Sequence, residues 1–276
     1  IDEASLTALG RWPWPRTQVA DLVDTISAAQ PAAIGFDIVF DQRDEALDLS
    51  AAERAVAADP EGSAADLLTS LRGQGDRRLA QALRASGVSV LALFAESGGP
   101  PAPAAEAKAT AARAPQLSVR TLAGASLETA ASLLDATRLH LPLPDLARAA
   151  GASGHINFLP DIDGFYRRVP IALRAVDRLV PSFNIELVRR YLKQSSATVI
   201  LGPEGVSAIR IGDLSVVADE AAQVWVDYLG PPQTFPFLSA IDVLAQRVPP
   251  EAIRGRIVII GFTAAGNDEV ATPFAA

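Results

Sequence analysis

The chain has 276 residues, 49% of them hydrophobic and 20% charged, which places it among ordinary globular proteins long enough to bury a substantial core. Its formal net charge of -8 repels polyanions on average, and the arginine pairs at 77–78, 167–168 and 189–190 each stand alone, so no nucleic-acid partner is expected. With no cysteine, disulfides, thiolate nucleophiles and cysteine-held zinc are excluded.

The segment "RWPWPR" (11–16) alternates tryptophan with proline, a rigid extended stretch that either straps the core or lays indoles out as a ligand platform. Residues 17–29 follow with Val19, Leu22, Val23 and Ile26 at helical spacing and Thr17 as the expected N-cap. Pro31 ends that helix, and the nearly continuous apolar run "AAIGFDIVF" (32–40) reads as a strand buried on both faces.

The helix-then-strand unit recurs at 76–95 with a glycine C-cap at Gly87, at 143–159, and at 238–261. Four such units predict at least four strands in one sheet. Between the third and fourth, 166–176 and 179–183 read as hairpin arms, 183–193 as a helix, and stretches near 197–201, 206–211 and 223–229 as short strands. The expected fold is α/β: a mixed, largely parallel central sheet with flanking helices and a β-rich middle section. We expect one domain over 1–276, interrupted by insertions at about 42–75 and 97–140. Within the second, the Pro/Ala-rich 97–115 is expected to stay unpacked on the surface.

The stretch "LPDIDGFYRR" (159–168) sets two carboxylates before a glycine and two arginines. It fails the EF-hand pattern, because Gly164 is fourth from Asp161 and Ala172 stands where the glutamate belongs. Two readings remain: a turn, since Asp and Gly suit one, and a ligand or ion site. "VIIGFTAAGND" (258–268) has the glycine spacing of a phosphate loop, but Asn267 and Asp268 replace its Lys and Ser or Thr. "GASGH" (151–155) lacks the last glycine of a nucleophile elbow, and the two histidines, His140 and His155, pair in no metal motif. No catalytic residue, metal or cofactor is therefore expected.

The remaining polar residues near predicted strand ends are Asp37 and Asp41 at the first, Asn157, Asp161, Asp163 and Arg167 after the third, and Asp268 after the last. In open α/β sheets ligands bind beyond the carboxyl ends of the strands, so these seven are the candidate ligand-sensing set. The alternative is that each caps a helix or pairs with an arginine.

Taken together, "IDEASLTALGRWPWPR", "AAIGFDIVF", "DRRLAQAL", "GHINFLPDIDGFYRRVP" and "GRIVIIGFTAAGNDEVATP", in that order, resemble the type-two CHASE domain, an extracytoplasmic sensory module of bacterial nucleotide cyclases and histidine kinases. Asp37, Asp163, Arg167 and Asp268 match its motif positions. The resemblance implies a periplasmic location, one membrane helix before the domain, usually three after it, and a cyclase, kinase or diguanylate cyclase inside the cell. A chain that begins at Ile1 and contains no Met is expected to be a segment of such a longer product. The expected function is the sensor of a membrane-anchored class III adenylate or guanylate cyclase, without catalysis of its own, acting as a homodimer on a small ligand or an envelope protein. The competing expectation is a ligand-free envelope-interaction or structural module of a membrane-bound kinase or cyclase.

Overall fold

The computed structural model describes residues 1–44, 56–57, 73–127, 130–231, 234–264 and 272. In chain order the first elements are α1 (Glu3–Leu9), α2 (Arg16–Ala28), β1 (Ala33–Val39), α3 (Gln74–Ser86), β2 (Ser89–Glu96) and α4 (Ala104–Arg113). Then come β3 (Ser118–Thr121), β4 (Arg138–His140), α5 (Pro144–Ala150), β5 (Ser153–His155), β6 (Arg168–Pro170), β7 (Ala172–Ala175) and β8 (Arg178–Pro181). The last are α6 (Phe183–Tyr191), β9 (Thr198–Gly202), β10 (Gly205–Ile211), β11 (Leu214–Val217), β12 (Gln223–Trp225), α7 (Ala240–Leu244) and β13 (Ile257–Ile260). Among the described residues no helix is long and apolar enough to cross a membrane.

The four helix-then-strand units deliver four parallel strands to one sheet. β13 pairs β1, β1 pairs β2, and β5 pairs β2, with Ile34 opposite both Val258 and Ser89, and Leu91 opposite Ser153. The sheet is mixed because β4 runs antiparallel against Phe94–Glu96. Its antiparallel member thus comes from the segment expected to be an insertion, and the β-rich middle section forms further sheets, one of them with β3 of that same segment. One is four-stranded, β11-β10-β9-β3, and two are pairs, β12 with β6 and β7 with β8.

Helices cover both faces of the five-stranded sheet. On one, Val19, Val23 and Ile26 of α2 and Leu79 and Leu83 of α3 pack with Ile34, Phe36 and Leu91. On the other, Phe183 and Leu187 of α6 cover Ala33, Val90 and Ala92. A Cβ on Gly35 would meet the Phe183 ring at 2.6 Å, so the glycine admits α6 against β1. A second core, including Leu117, Val199, Leu201, Ile209 and Ile185, lies on the β9–β10 sheet.

Two expectations are corrected. Residues 104–113 form a helix with Ala111 buried, and Ala114 and Leu117 are buried beyond it, because alanine favours helix and its small side chain packs closely. Thr17 is not the N-cap of α2, which starts at Arg16 without a local side-chain cap; the Arg16 amide instead donates to the Asp44 carboxylate at 3.1 Å. A distant acid does the work of a cap. The tryptophan–proline segment is a strap. Trp14 is buried, its indole donates to the Gly10 carbonyl at 2.9 Å, and Trp12 packs edge-on between Trp14 and Phe262.

Candidate functional site

Because β13, β1, β2 and β5 are parallel, the residues after them leave from one edge of the sheet. Asp37 stands on that side of β1, with its Oδ2 3.8 Å from where a Gly261 side chain would begin. Part of Asp37 remains in solvent, yet burial by its surroundings pushes its carboxyl above the usual carboxylate range. It has no ion-pair partner among the described residues.

Asp41 belongs to a cluster that the sequence did not disclose. His140 of β4 lies between two acids, with Nε2 2.7 Å from Glu96 Oε1 and Nδ1 3.6 Å from Asp41 Oδ2. Arg138, on the same strand, reaches Glu106 at 3.1 Å and Glu96 at 3.9 Å. Strand pairing assembles this group, since Phe94 sits opposite His140 and Glu96 opposite Arg138. These side chains are about two-fifths exposed, so each contact is worth at most about 1 kcal/mol. No group of three or more His, Asp or Glu among the described residues has the geometry to hold a metal ion.

Asn157 is buried, and both ends of its amide serve the backbone: Oδ1 accepts from the Ala95 amide at 3.0 Å, and Nδ2 donates to the Ala95 carbonyl at 2.6 Å. It continues the β2–β5 pairing past the end of β5.

The 159–168 stretch is a turn. The Asp161 amide donates to the Phe165 carbonyl and the Gly164 amide to the Asp161 carbonyl, both at 2.8 Å, while Gly164 takes a φ of 84°. Asp163 accepts from the Phe165 amide at 3.2 Å and from both terminal nitrogens of Arg167 at 2.9 Å. Asp161 accepts from Arg168 at 2.7 and 3.0 Å and from Arg167 at 3.2 Å. The guanidinium of Arg168 holds the Asp161 carboxyl below its ordinary value, and that of Arg167 does the same for Asp163. No hydrogen bond or ion pair among the described residues joins this turn to Asp37 or Asp41. Asp268 lies outside the described residues.

One further polar group lies inside the molecule, where α2, α3 and the segment after β1 meet. Arg16 and Asp76 are 9% and 7% exposed, their Nε and Oδ1 atoms 3.6 Å apart, and neither of those atoms has a hydrogen-bond partner. Burial lowers the Arg16 pKa and raises that of Asp76, so desolvation outweighs their attraction in both. Arg16 also donates to the Gln42 carbonyl at 3.2 Å, and its guanidinium lies 4.3 Å from the centre of the Phe40 ring.

The arrangement is that of a mixed α/β protein whose ion pairs largely brace loops and helix ends. The family model for the CHASE2 domain matches residues 1–275. The chain belongs to the CHASE2 family, which supplies extracytoplasmic sensory domains to signalling proteins. No curated protein and no solved structure matches the chain.

Proposed function

We propose that the chain is the periplasmic sensor of an inner-membrane signalling enzyme whose output is a class III adenylate or guanylate cyclase, and that it works as a homodimer. The observation that carries the reading is the family match, which runs from residue 1 to residue 275. A stimulus changes output only through the difference in its affinity for two arrangements of the sensor, and a pair of dimer geometries coupled to membrane helices supplies two such arrangements.

The test is the parent protein in its own membrane. Cyclic nucleotide production that changes when residues 1–276 are deleted, together with crosslinked dimers, is the expected result. A parent without membrane helices or a cyclase domain, or one trapped only as monomers, overturns it. One observation favours a second reading, a protein-contact module of the envelope: Trp225, Phe235 and Phe237 are 72%, 64% and 63% exposed. Alanine at these three positions abolishes co-purification of an envelope partner under that reading and leaves the cyclase response unchanged under the first.

A further inference from the structure

Positive charge that the sequence disperses is gathered by the fold into one cleft of about 360 Å³ between α3 and α5, a size suited to a small ligand. Arg77 and Arg84 project from α3, Arg148 from α5, and Arg43 from the segment after β1. The lining contains two aspartates, and both are engaged: Asp145 with Arg148 at 2.5 Å, and Asp76 with Arg16. Neither Arg43 nor Arg84 has a carboxylate within ion-pairing distance among the described residues. Among the described lining residues four arginines stand with two aspartates, in a chain whose formal net charge is -8.

The charges have an order. The Nη1 atoms of Arg43 and Arg77 lie 3.5 and 3.8 Å from where a side chain on Gly73 would begin, so two guanidinium groups converge at one end of the cleft. Arg84 stands two helical turns along α3 from Arg77, about 10 Å further on. Ala80, Leu143 and Leu146 lie in the lining and give it an apolar part. The wall also contains Asp76, whose Oδ1 is buried without a hydrogen-bond partner.

We propose that this cleft binds a short organic dianion of the dicarboxylate class, with one carboxylate held by Arg43, the other by Arg84, and the carbon skeleton on Ala80, Leu143 and Leu146. Guanidinium forks match carboxylates in shape and charge, and positive ends separated by an apolar stretch favour a two-ended organic ligand over a compact inorganic anion. Occupancy would bear on the inner polar group, because Arg43 adjoins Asp44. The Asp44 carboxylate accepts from the Arg16 amide, and its own amide donates to Asp76 at 3.3 Å. The proposal rests on the reading of the chain as a sensor and names the class of its ligand.

The test is calorimetric titration of the 276-residue chain and its Arg43→Gln and Arg84→Gln variants with succinate, glutarate and adipate, against acetate and inorganic phosphate. One dicarboxylate binds at one site per chain, and each variant weakens it about tenfold or more while melting as the unaltered protein does. The proposal is overturned by no binding at concentrations up to about 10 mM, by affinity that survives both substitutions, or by acetate or phosphate binding as tightly as the best dicarboxylate. None of these outcomes bears on cyclase output in the parent, which judges the sensor role separately.

Discussion

The turn at 159–168 and the cleft between α3 and α5 both present arginines to solvent, but they differ in what answers the charge. In the turn, Arg167 and Arg168 meet Asp161 and Asp163 through several hydrogen bonds within a few residues of chain. The Tyr228 hydroxyl donates to the Tyr166 carbonyl, and the Phe158 and Tyr166 rings stack at 4.9 Å, so the turn is braced from its base as well. In the cleft, Arg43 and Arg84 have no such answer among the described residues, and the neighbouring Arg16–Asp76 pair leaves an atom on each side chain unsatisfied. A matched cluster has little to gain from a newcomer; an unmatched one can take a ligand's charge as its missing partner.

The distinction breaks first in the interior, at His155. Its ring is completely buried, neither nitrogen has a partner, and burial lowers its pKa from 6.5 to about 3. The unfolded chain takes up the proton near pH 6.5 and the folded chain only near pH 3, so stability is full above the first value and falls between the two. The shift corresponds to roughly 4–5 kcal/mol. Urea denaturation across that range should show the loss, and His155→Leu should remove that part of it without lowering stability at pH 8.

Next in size is the Arg16–Asp76 pair. Asp76→Leu strands a buried guanidinium and should cost about 3 kcal/mol in chemical denaturation, whereas the Arg16→Met, Asp76→Leu double variant should regain most of it. Equal losses in the single and double variants would mean that the pair is matched after all. The turn should be far less sensitive, because its charges face water. Asp163→Asn should lower the melting temperature by no more than about 2 °C, and Asp161→Asn somewhat more, as Asp161 serves two arginines. Smallest of all, Arg43→Gln and Arg84→Gln should leave melting unchanged within about 1 °C in the absence of ligand, since each removes an exposed charge with no ion-pair partner among the described residues.

The parallel strands were legible because a buried strand needs a continuous apolar run and a helix needs its own period; "AAIGFDIVF" and "VSVLALFA" carry the first signal and 76–87 the second. The turn at Asp161–Gly164 was legible for a similar reason, as its chemistry is local. β4 and the His140 cluster were not, because Arg138–His140 becomes a strand only through pairing with Phe94–Glu96, some forty residues away. The Asp44 cap on α2 crosses 28 positions, and the cleft draws its arginines from three separate segments. In sequence those arginines are scattered: Arg77 belongs to a pair that stands alone, and Arg43, Arg84 and Arg148 are single.

Backbone hydrogen exchange of the 276-residue chain, with and without a saturating concentration of whichever of succinate, glutarate and adipate binds most tightly, puts the contrast between cleft and turn to the most direct test. The account predicts slowed exchange at Arg43 and Asp44 and along α3, with residues 161–168 unchanged. Slowing confined to 161–168, or no change in either region, would contradict it.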